Sequence, residues 1–294
     1  MTIELTTEDG RTLDVLDAGP RDGLPFVFHH GTPQGAVACG IIERPAVERG
    51  LRVISYSRPG YGTSSPRPDG SVADDARDTA SILDRLGLGE FVTLGWSGGG
   101  PRALACAAVL PDRCLAATCG VGPVPFTEYD GDFRAGMGVE NVEEFGAAMD
   151  GPEALTEWLE ANGTPMFSVS ADGVADALGS LAPPVDRAAI TGELAEWLAA
   201  TGARAGEQGV VGWRDDDLTM LRPWGFDLAA IRVPTAVWQG TKDVMVPFAH
   251  AEWLATHVAG TRAHLVEGEG HLSLFMRMPD ILDDLLDLAR PLGG

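Results

Sequence analysis

The chain has 294 residues, of which 45% are hydrophobic and 22% are charged, so it can bury a sizeable core as one large domain or two ordinary ones. Its 43 acidic and 21 basic side chains give a formal net charge of −22. Such a surface repels polyanions, which argues against nucleic acid and anionic membranes as partners.

The N-terminal sequence MTIELTTEDGRTLDV lacks the basic start and apolar core of a secretory signal. No apolar run reaches the roughly 20 residues that a membrane span needs. The cysteines show neither metal-ligand nor C-x-x-C spacing; they are Cys39, Cys106, Cys114 and Cys119. We interpret them as small core residues of a reduced, cytoplasmic protein, with a disulfide as the alternative.

Short apolar strands alternate with helices over residues 1–120. Strands are predicted at TLDVLDA, LPFVFHH, LRVISYS, EFVTLGW and CLAATCGVG. Helices are predicted at PRALACAAVL and at SVADDARDTASILDRLGL, where apolar residues recur at helical spacing. Strands that alternate with helices in this way predict a parallel sheet covered on both faces.

The pattern changes near Pro123. From about residue 124 to residue 227 there is no convincing strand, and VEEFGAAMDGPEALTEWLEANG and ITGELAEWLAATGARAGEQG predict helices separated by glycines. Strands and helices then alternate again at IRVPTAVWQG, PFAHAEWLATHV, TRAHLVEGEG and ILDDLLDLAR. We therefore predict a core domain made of residues 1–123 and 228–294, with a helical domain inserted at residues 124–227.

One serine lies in a glycine-rich turn between a predicted strand and a predicted helix. The stretch TLGWSGGGPRALACAAVL places Ser97 between Gly95 and Gly99, the arrangement of a nucleophile elbow. Glycine at these two positions removes side chains that would collide where the strand and the helix nearly touch. The helix N-terminus would direct free N–H groups and its positive dipole end towards Ser97. A glycine-rich loop without chemistry is the alternative.

A serine hydroxyl becomes a good nucleophile only when a base takes its proton. The candidate bases are His29, His30, His250, His257, His264 and His271. Of these, His271 follows a strand that runs out into glycines, which places it at the sheet edge where Ser97 also lies. The others begin a strand, lie on a predicted helix or directly precede the Gly-Thr-Pro turn. We therefore predict that His271 is the base.

The base needs an orienting carboxylate, and the tetrahedral intermediate needs hydrogen-bond donors. Asp243 lies just past the end of a strand, and the order Ser97, Asp243, His271 is the one that this arrangement requires. An ordinary turn aspartate is the alternative. We predict an oxyanion hole made by the backbone N–H groups of Gly98 and Thr32, since Pro33 has none.

At this point the chain resembles the α/β-hydrolase superfamily over essentially its whole length. The resemblance rests on HHGTP, YSRPGYGTSS, LGWSGGGP, WQGTKDVMVP and GEGHLS, which occur in the order of that family. It implies a mostly parallel eight-stranded sheet with helices on both faces and a helical cap over the active site. It also implies a triad of Ser97, Asp243 and His271, without a cofactor or a metal.

The resemblance narrows the range of activities that we expect. The HGTP turn is similar to that of epoxide hydrolases and haloalkane dehalogenases, but those enzymes carry aspartate where this chain has Ser97. The H-G-G-P-G of proline iminopeptidases is absent. We expect a carboxylesterase-like serine hydrolase that cleaves an ester or lactone through an acyl-enzyme. Alternatives are a C–C bond hydrolase of β-diketone-type substrates, an aminopeptidase-like enzyme, a lyase or perhydrolase, and a receptor that binds without turnover.

Three aromatic residues are candidate linings of the substrate pocket: Trp96, Phe126 and Trp213. Trp96 adjoins the nucleophile, although packing beneath the turn is the alternative. For the tryptophans of the helical segment, its own core is the alternative. We expect a small-molecule substrate and no nucleic-acid or membrane partner, and the sequence leaves a homodimer open.

Overall fold

The computed structural model describes residues 2–290 and contains one sheet of eight strands. The strands are β1 (Thr2–Thr6), β2 (Thr12–Ala18), β3 (Leu24–His29), β4 (Leu51–Ser57), β5 (Phe91–Trp96), β6 (Cys114–Gly120), β7 (Thr235–Gly240) and β8 (Arg262–Val266). Their order across the sheet is β1-β2-β4-β3-β5-β6-β7-β8. Strand β2 runs antiparallel to β1 and β4, and all other neighbours are parallel. The predicted eight-stranded, mostly parallel sheet is confirmed.

Helices cover both faces of the sheet. They are α1 (Gly40–Glu48), α2 (Val72–Arg85), α3 (Gly100–Val109), α10 (Phe248–His257) and α11 (Met278–Leu288). Successive strand residues point to opposite faces, so Val27 lies in the core shared with α2, α3 and α10, while Phe26 lies in the core shared with α1 and α11. Strands β4 and β5 are buried along their whole length, and most of their residues are apolar.

The described chain between β6 and β7 contains helices and no strand. These helices are α4 (Val139–Asp150), α5 (Pro152–Trp158), α6 (Val174–Ala177), α7 (Pro184–Ala189), α8 (Gly192–Ala205) and α9 (Val211–Leu221). We call residues 139–221 the helical insertion. It has a small core of its own, which includes Leu155, Leu159 and Trp213 and packs against Tyr61 from the loop after β4. The predicted division at residues 124 and 227 stays a prediction.

The parallel strands place the predicted site residues at a single edge of the sheet. Thr32 follows β3, Ser97 follows β5, Asp243 follows β7 and His271 follows β8. Because these four strands are parallel, their carboxyl ends lie at the same edge, where ligand sites of open α/β sheets form.

Candidate active site

Ser97 occupies a sharp turn with an uncommon backbone conformation. Strand β5 ends at Trp96, one turn of 3₁₀-helix covers Ser97–Gly99, and α3 begins at Gly100. The φ angle of Ser97 is 54°. This is the left-handed region, which is energetically unfavourable for any residue that has a side chain. A Cβ on Gly95 would lie 1.9 Å from the carbonyl oxygen of Gly99, so only glycine fits there. The surrounding glycines thus allow the turn that projects the serine.

His271 and Asp243 form a buried hydrogen-bonded pair. His271 Nδ1 lies 2.8 Å from Asp243 Oδ2, and the residues are 3% and 5% exposed. The N–H groups of Met245 and Val246 donate to Asp243 Oδ1 at 2.8 and 2.9 Å, and Gln239 donates to Oδ2 at 2.8 Å. The carboxylate is therefore held in one orientation. Because it is hydrogen-bonded to Nδ1, the other ring nitrogen, Nε2, is available to accept or donate a proton.

The pair changes the acidity of the imidazole. Burial disfavours the charged ring, but the charge of Asp243 and its hydrogen bond outweigh burial, so the pKa of His271 is raised above its usual value. The rings of Trp96 and His271 lie edge to face with centroids 6.3 Å apart.

Two cavities meet at the serine. A cavity of about 340 Å³ is lined by Ser97, Gly98, Thr32 and residues of the helical insertion. A second cavity of about 120 Å³ is lined by Ser97, Thr32 and also by His271. The structure thus brings the predicted nucleophile and the predicted base to the wall of the same space.

Thr32 and Gly98 also adjoin each other. A Cβ placed on Gly98 would lie 3.5 Å from the backbone nitrogen of Thr32, and both residues line the larger cavity with Ser97. Two backbone N–H groups so placed beside a serine can bind a developing negative charge on oxygen.

The three predicted pocket aromatics have different surroundings. Trp96 lines the smaller cavity and packs edge-on against Phe275, with ring centroids 5.0 Å apart. Trp213 lines the larger cavity and also belongs to the core of the helical insertion. Phe126 is among the described residues that line neither cavity; its ring packs edge-on against Phe133 at 5.5 Å. The prediction for Phe126 is corrected: its ring adds to the apolar core.

The histidines that follow β3 pack within the turn. His30 is buried, with Nδ1 2.8 Å from the carbonyl oxygen of Gly31 and Nε2 accepting the N–H of Arg58 at 3.3 Å. Burial, together with the charges of Arg58 and Arg102, lowers the pKa of His29 to about 3, and burial also lowers the pKa of His30. Both rings are therefore neutral and structural. His250 is fully buried against the rings of Tyr129 and Phe133.

Sequence reasoning missed the buried acids that the helical insertion places at the site. Asp186 of α7 accepts hydrogen bonds from the backbone N–H groups of residues 271, 272 and 273 at 2.8 to 2.9 Å, and so holds the loop that carries His271. Asp216 of α9 accepts the hydroxyl of Thr32 at 2.7 Å. These contacts join residues 85 to 184 positions apart, and no local pattern in the sequence indicates them.

A second acidic feature faces the larger cavity. Glu144 of α4 and Asp217 of α9 are buried in its wall, and the indole N–H of Trp213 donates to Glu144. Burial raises the pKa of both carboxyls, and the charge of Glu144 raises that of Asp217 further. One proton held between the two groups relieves their repulsion.

Known proteins resemble this chain in sequence and in fold. A family model described as alpha/beta hydrolase fold matches residues 25–150. A non-heme chloroperoxidase of Streptomyces lividans is 31% identical over 291 residues, covering 97% of this chain and 99% of that protein. A bifunctional esterase/perhydrolase of Acinetobacter calcoaceticus is 32% identical over 122 residues, covering 41% of this chain and 44% of its own.

A solved structure of an alpha/beta hydrolase fold protein from Nakamurella multipartita is 26% identical, with a TM-score of 0.65 over 99% of this chain and 100% of that one. With its sheet, its strand order and these relatives, the chain belongs to the α/β-hydrolase superfamily.

Within residues 2–290, no group of three or more His, Cys, Asp or Glu side chains is arranged to hold a metal ion. The four cysteines are buried and free. None of the helices in the described part of the chain has the length and apolar character needed to cross a bilayer.

Proposed function

We propose that this protein is a serine hydrolase that cleaves a carboxylic ester or lactone of a small organic molecule through an acyl-enzyme on Ser97. The observation that carries the proposal is the placement of Ser97, at a φ of 54°, on the wall of the cavity that His271 also lines, with His271 bonded to Asp243 at 2.8 Å. This is the set of groups that acyl transfer requires.

In the first half of the reaction, Ser97 Oγ attacks the carbonyl carbon and its proton passes to His271 Nε2. The carbonyl oxygen becomes an oxyanion, which the N–H groups of Thr32 and Gly98 stabilise. The bond to the alkoxy group then breaks, and His271 gives its proton to the departing oxygen. Asp243 stabilises the imidazolium that exists between these two steps.

In the second half, a water molecule attacks the acyl-enzyme while His271 takes one of its protons. The tetrahedral intermediate collapses, the acid leaves, and the proton returns to Ser97. The two cavities that meet at Ser97 supply space for the acyl and alcohol parts of the substrate on either side of the reacting carbon.

The charge of the larger cavity restricts the substrate further. Among the described residues that line it are Glu140, Glu143, Glu144 and Asp217, and there is no lysine, arginine or histidine. With one proton shared by Glu144 and Asp217, this wall still carries negative charge, so it would repel a carboxylate-bearing ester. The proposed substrates are therefore neutral or cationic esters and lactones.

The nucleophile is tested by Ser97→Ala. We expect kcat on p-nitrophenyl acetate to fall by roughly three orders of magnitude or more, since the serine makes the covalent bond. Thermal unfolding of the variant checks that the fold is retained, and circular dichroism should match the parent. Full activity in a folded Ser97→Ala protein would overturn the proposal.

A second candidate is perhydrolysis, in which hydrogen peroxide replaces water as the attacking group on the acyl-enzyme and a peracid leaves. The names of the relatives from Streptomyces lividans and Acinetobacter calcoaceticus favour it. Measuring peracid and free acid from the same ester in the presence of peroxide gives the share of each route.

A further inference from the structure

Asp216 links the helical insertion to the candidate oxyanion hole. It lies on α9 and is 6% exposed. Its Oδ2 accepts the hydroxyl hydrogen bond of Thr32 at 2.7 Å, and its Oδ1 accepts one from Arg102 Nη2 at 2.9 Å. Arg58 donates to Oδ2 through Nη2 at 2.5 Å. One carboxylate thus binds two fully buried arginines and one of the two residues predicted to hold the oxyanion.

The two arginines extend the link to the backbone of the site. Arg102 Nη1 donates to the carbonyl oxygen of Gly98 at 2.7 Å, and its Nε binds Asp75 of α2 at 2.9 Å. Arg58 donates to the carbonyl oxygens of His30 and Gly31 at 2.5 and 2.9 Å. Asp216 is therefore connected, directly or through one guanidinium, to both backbone segments that carry the N–H donors.

We propose that Asp216 is a positioning residue that fixes the N–H groups of Thr32 and Gly98 relative to each other, so that the helical insertion completes the oxyanion hole. The proposal rests on the proposed function, because it assumes that these N–H groups bind an oxyanion. Donors stabilise a transition state best when they are held in place before the charge develops.

The surroundings of Asp216 fit an indirect role. It is not among the described residues that line either cavity, so it acts on the substrate only through Thr32 and Gly98. Burial would raise its pKa, but the charges of Arg58 and Arg102 outweigh burial and lower it well below the usual value. The neighbouring Asp217 faces the cavity instead, with a raised pKa. In α9, the charged carboxylate of Asp216 thus supports the candidate oxyanion hole, and the next residue, Asp217, lines the larger cavity.

Two substitutions test the proposal. Asp216→Asn removes the charge, and Thr32→Val removes the hydroxyl that donates to Asp216 while the Thr32 backbone N–H remains. For each variant we expect kcat on p-nitrophenyl acetate to fall roughly tenfold to hundredfold with KM changed by less than about threefold. The inhibition constant of a phenylboronic acid, which forms a tetrahedral adduct on a serine, should rise by the same factor as kcat falls.

Because both changes alter the shared Thr32–Asp216 contact, their effects should not multiply: the double variant should lose little more than Asp216→Asn alone. The matched control is Asp78→Asn, which removes another buried carboxylate bound to two arginines, Arg11 and Arg67, on α2 away from both cavities. Asp78→Asn should lower the unfolding temperature without raising the inhibition constant of the boronic acid. If Asp216→Asn does not fold, the kcat and the boronic acid inhibition constant of Thr32→Val alone test the proposal.

The two proposals fail in different ways. If Ser97→Ala abolishes hydrolysis but Thr32→Val keeps the parent kcat and boronic acid constant, the positioning role is overturned and the serine hydrolase stands. If folded Ser97→Ala keeps full activity, the proposed function fails, and the positioning role fails with it.

Discussion

Ser97, His271 and Asp243 each have a conformation that their neighbours fix. Ser97 has its φ of 54° because Gly95 leaves room for the carbonyl of Gly99. Asp243 receives two backbone N–H groups on one oxygen, which directs its other oxygen to His271. A side chain oriented by a group that is itself fixed loses little freedom when the reaction starts, and this is the physical basis of the proposed activity.

The pH dependence of kcat/KM follows from the His271–Asp243 pair. His271 must be neutral to accept the serine proton, and its raised pKa means that it stays protonated to a higher pH than an ordinary histidine. We therefore expect kcat/KM to rise with pH, with a midpoint above about 6.5. Asp243→Asn should lower the midpoint and reduce kcat by roughly four orders of magnitude. A profile that is flat from about pH 5 to about pH 9 would contradict a histidine base.

At this scale the sequence allowed part of the site to be predicted. Ser97, Asp243 and His271 follow strands whose ends can be read from short apolar runs, so their placement at one edge of the sheet follows from parallel strands. Asp186 and Asp216 were not predicted, because their partners lie in distant segments and depend on how the helices pack. Phe126 was assigned wrongly, since nothing in its local sequence distinguishes a cavity wall from the core.

Among the elements, the helical insertion contacts the sheet domain at the loops that carry the candidate site residues. Its helix α7 holds the His271 loop and its helix α9 holds Thr32, each through a buried aspartate. Helices α4 and α9 also face each other through Glu144 and Asp217. The insertion therefore both shapes the larger cavity and supports the loops beneath it.

Two elements of the described sheet domain, β1 and α1, were not predicted from the sequence. Strand β1, with the sequence TIELT, was not predicted, because five residues of alternating exposure carry a weak signal without their partner β2. The interior strands β4 and β5 were recognisable as short runs in which most residues are apolar. The helical character of residues 139–221 was also recognisable, but the packing that makes its core was not.

The Glu144–Asp217 pair should make stability depend on pH. Because the folded pKa values are raised above the unfolded values of about 4, the folded protein holds more protons, so the pair's contribution to stability falls as pH rises above about 4. Asp217→Asn removes the repulsion. The free energy of unfolding of this variant, relative to the parent, should therefore increase between about pH 5 and about pH 8 by on the order of 1 kcal/mol.

Urea unfolding at the two pH values measures this difference. Asp150→Asn, which removes an exposed carboxyl at the end of α4, is the control and should change stability equally at both. An equal difference for Asp217→Asn at the two pH values would show that the pair does not hold an extra proton in the folded protein.

The whole molecule carries a net charge of −22, and four acidic side chains line the larger cavity that Ser97 also lines. Negatively charged substrates are therefore repelled at long range by the surface charge and at short range by the cavity wall. Salt screens the first effect more than the second, because the Glu144–Asp217 pair that contributes to the charge of the cavity is buried.

Two substrates of equal length test this charge selectivity. Dimethyl adipate is neutral, and monomethyl adipate has a carboxylate in place of one ester. We expect kcat/KM to be roughly tenfold or more higher for the neutral ester, with a gap that narrows but persists in about 0.5 M sodium chloride. Equal rates for the two esters at low salt would contradict the assigned role of the acidic wall.

The most direct test of an acyl-enzyme on Ser97 is covalent labelling with a fluorophosphonate, followed by intact mass measurement and peptide mapping. We expect one adduct per chain, located on Ser97, with esterase activity lost in proportion to labelling. An adduct confined to another residue, or undiminished activity in fully labelled protein, would contradict an acyl-enzyme on Ser97.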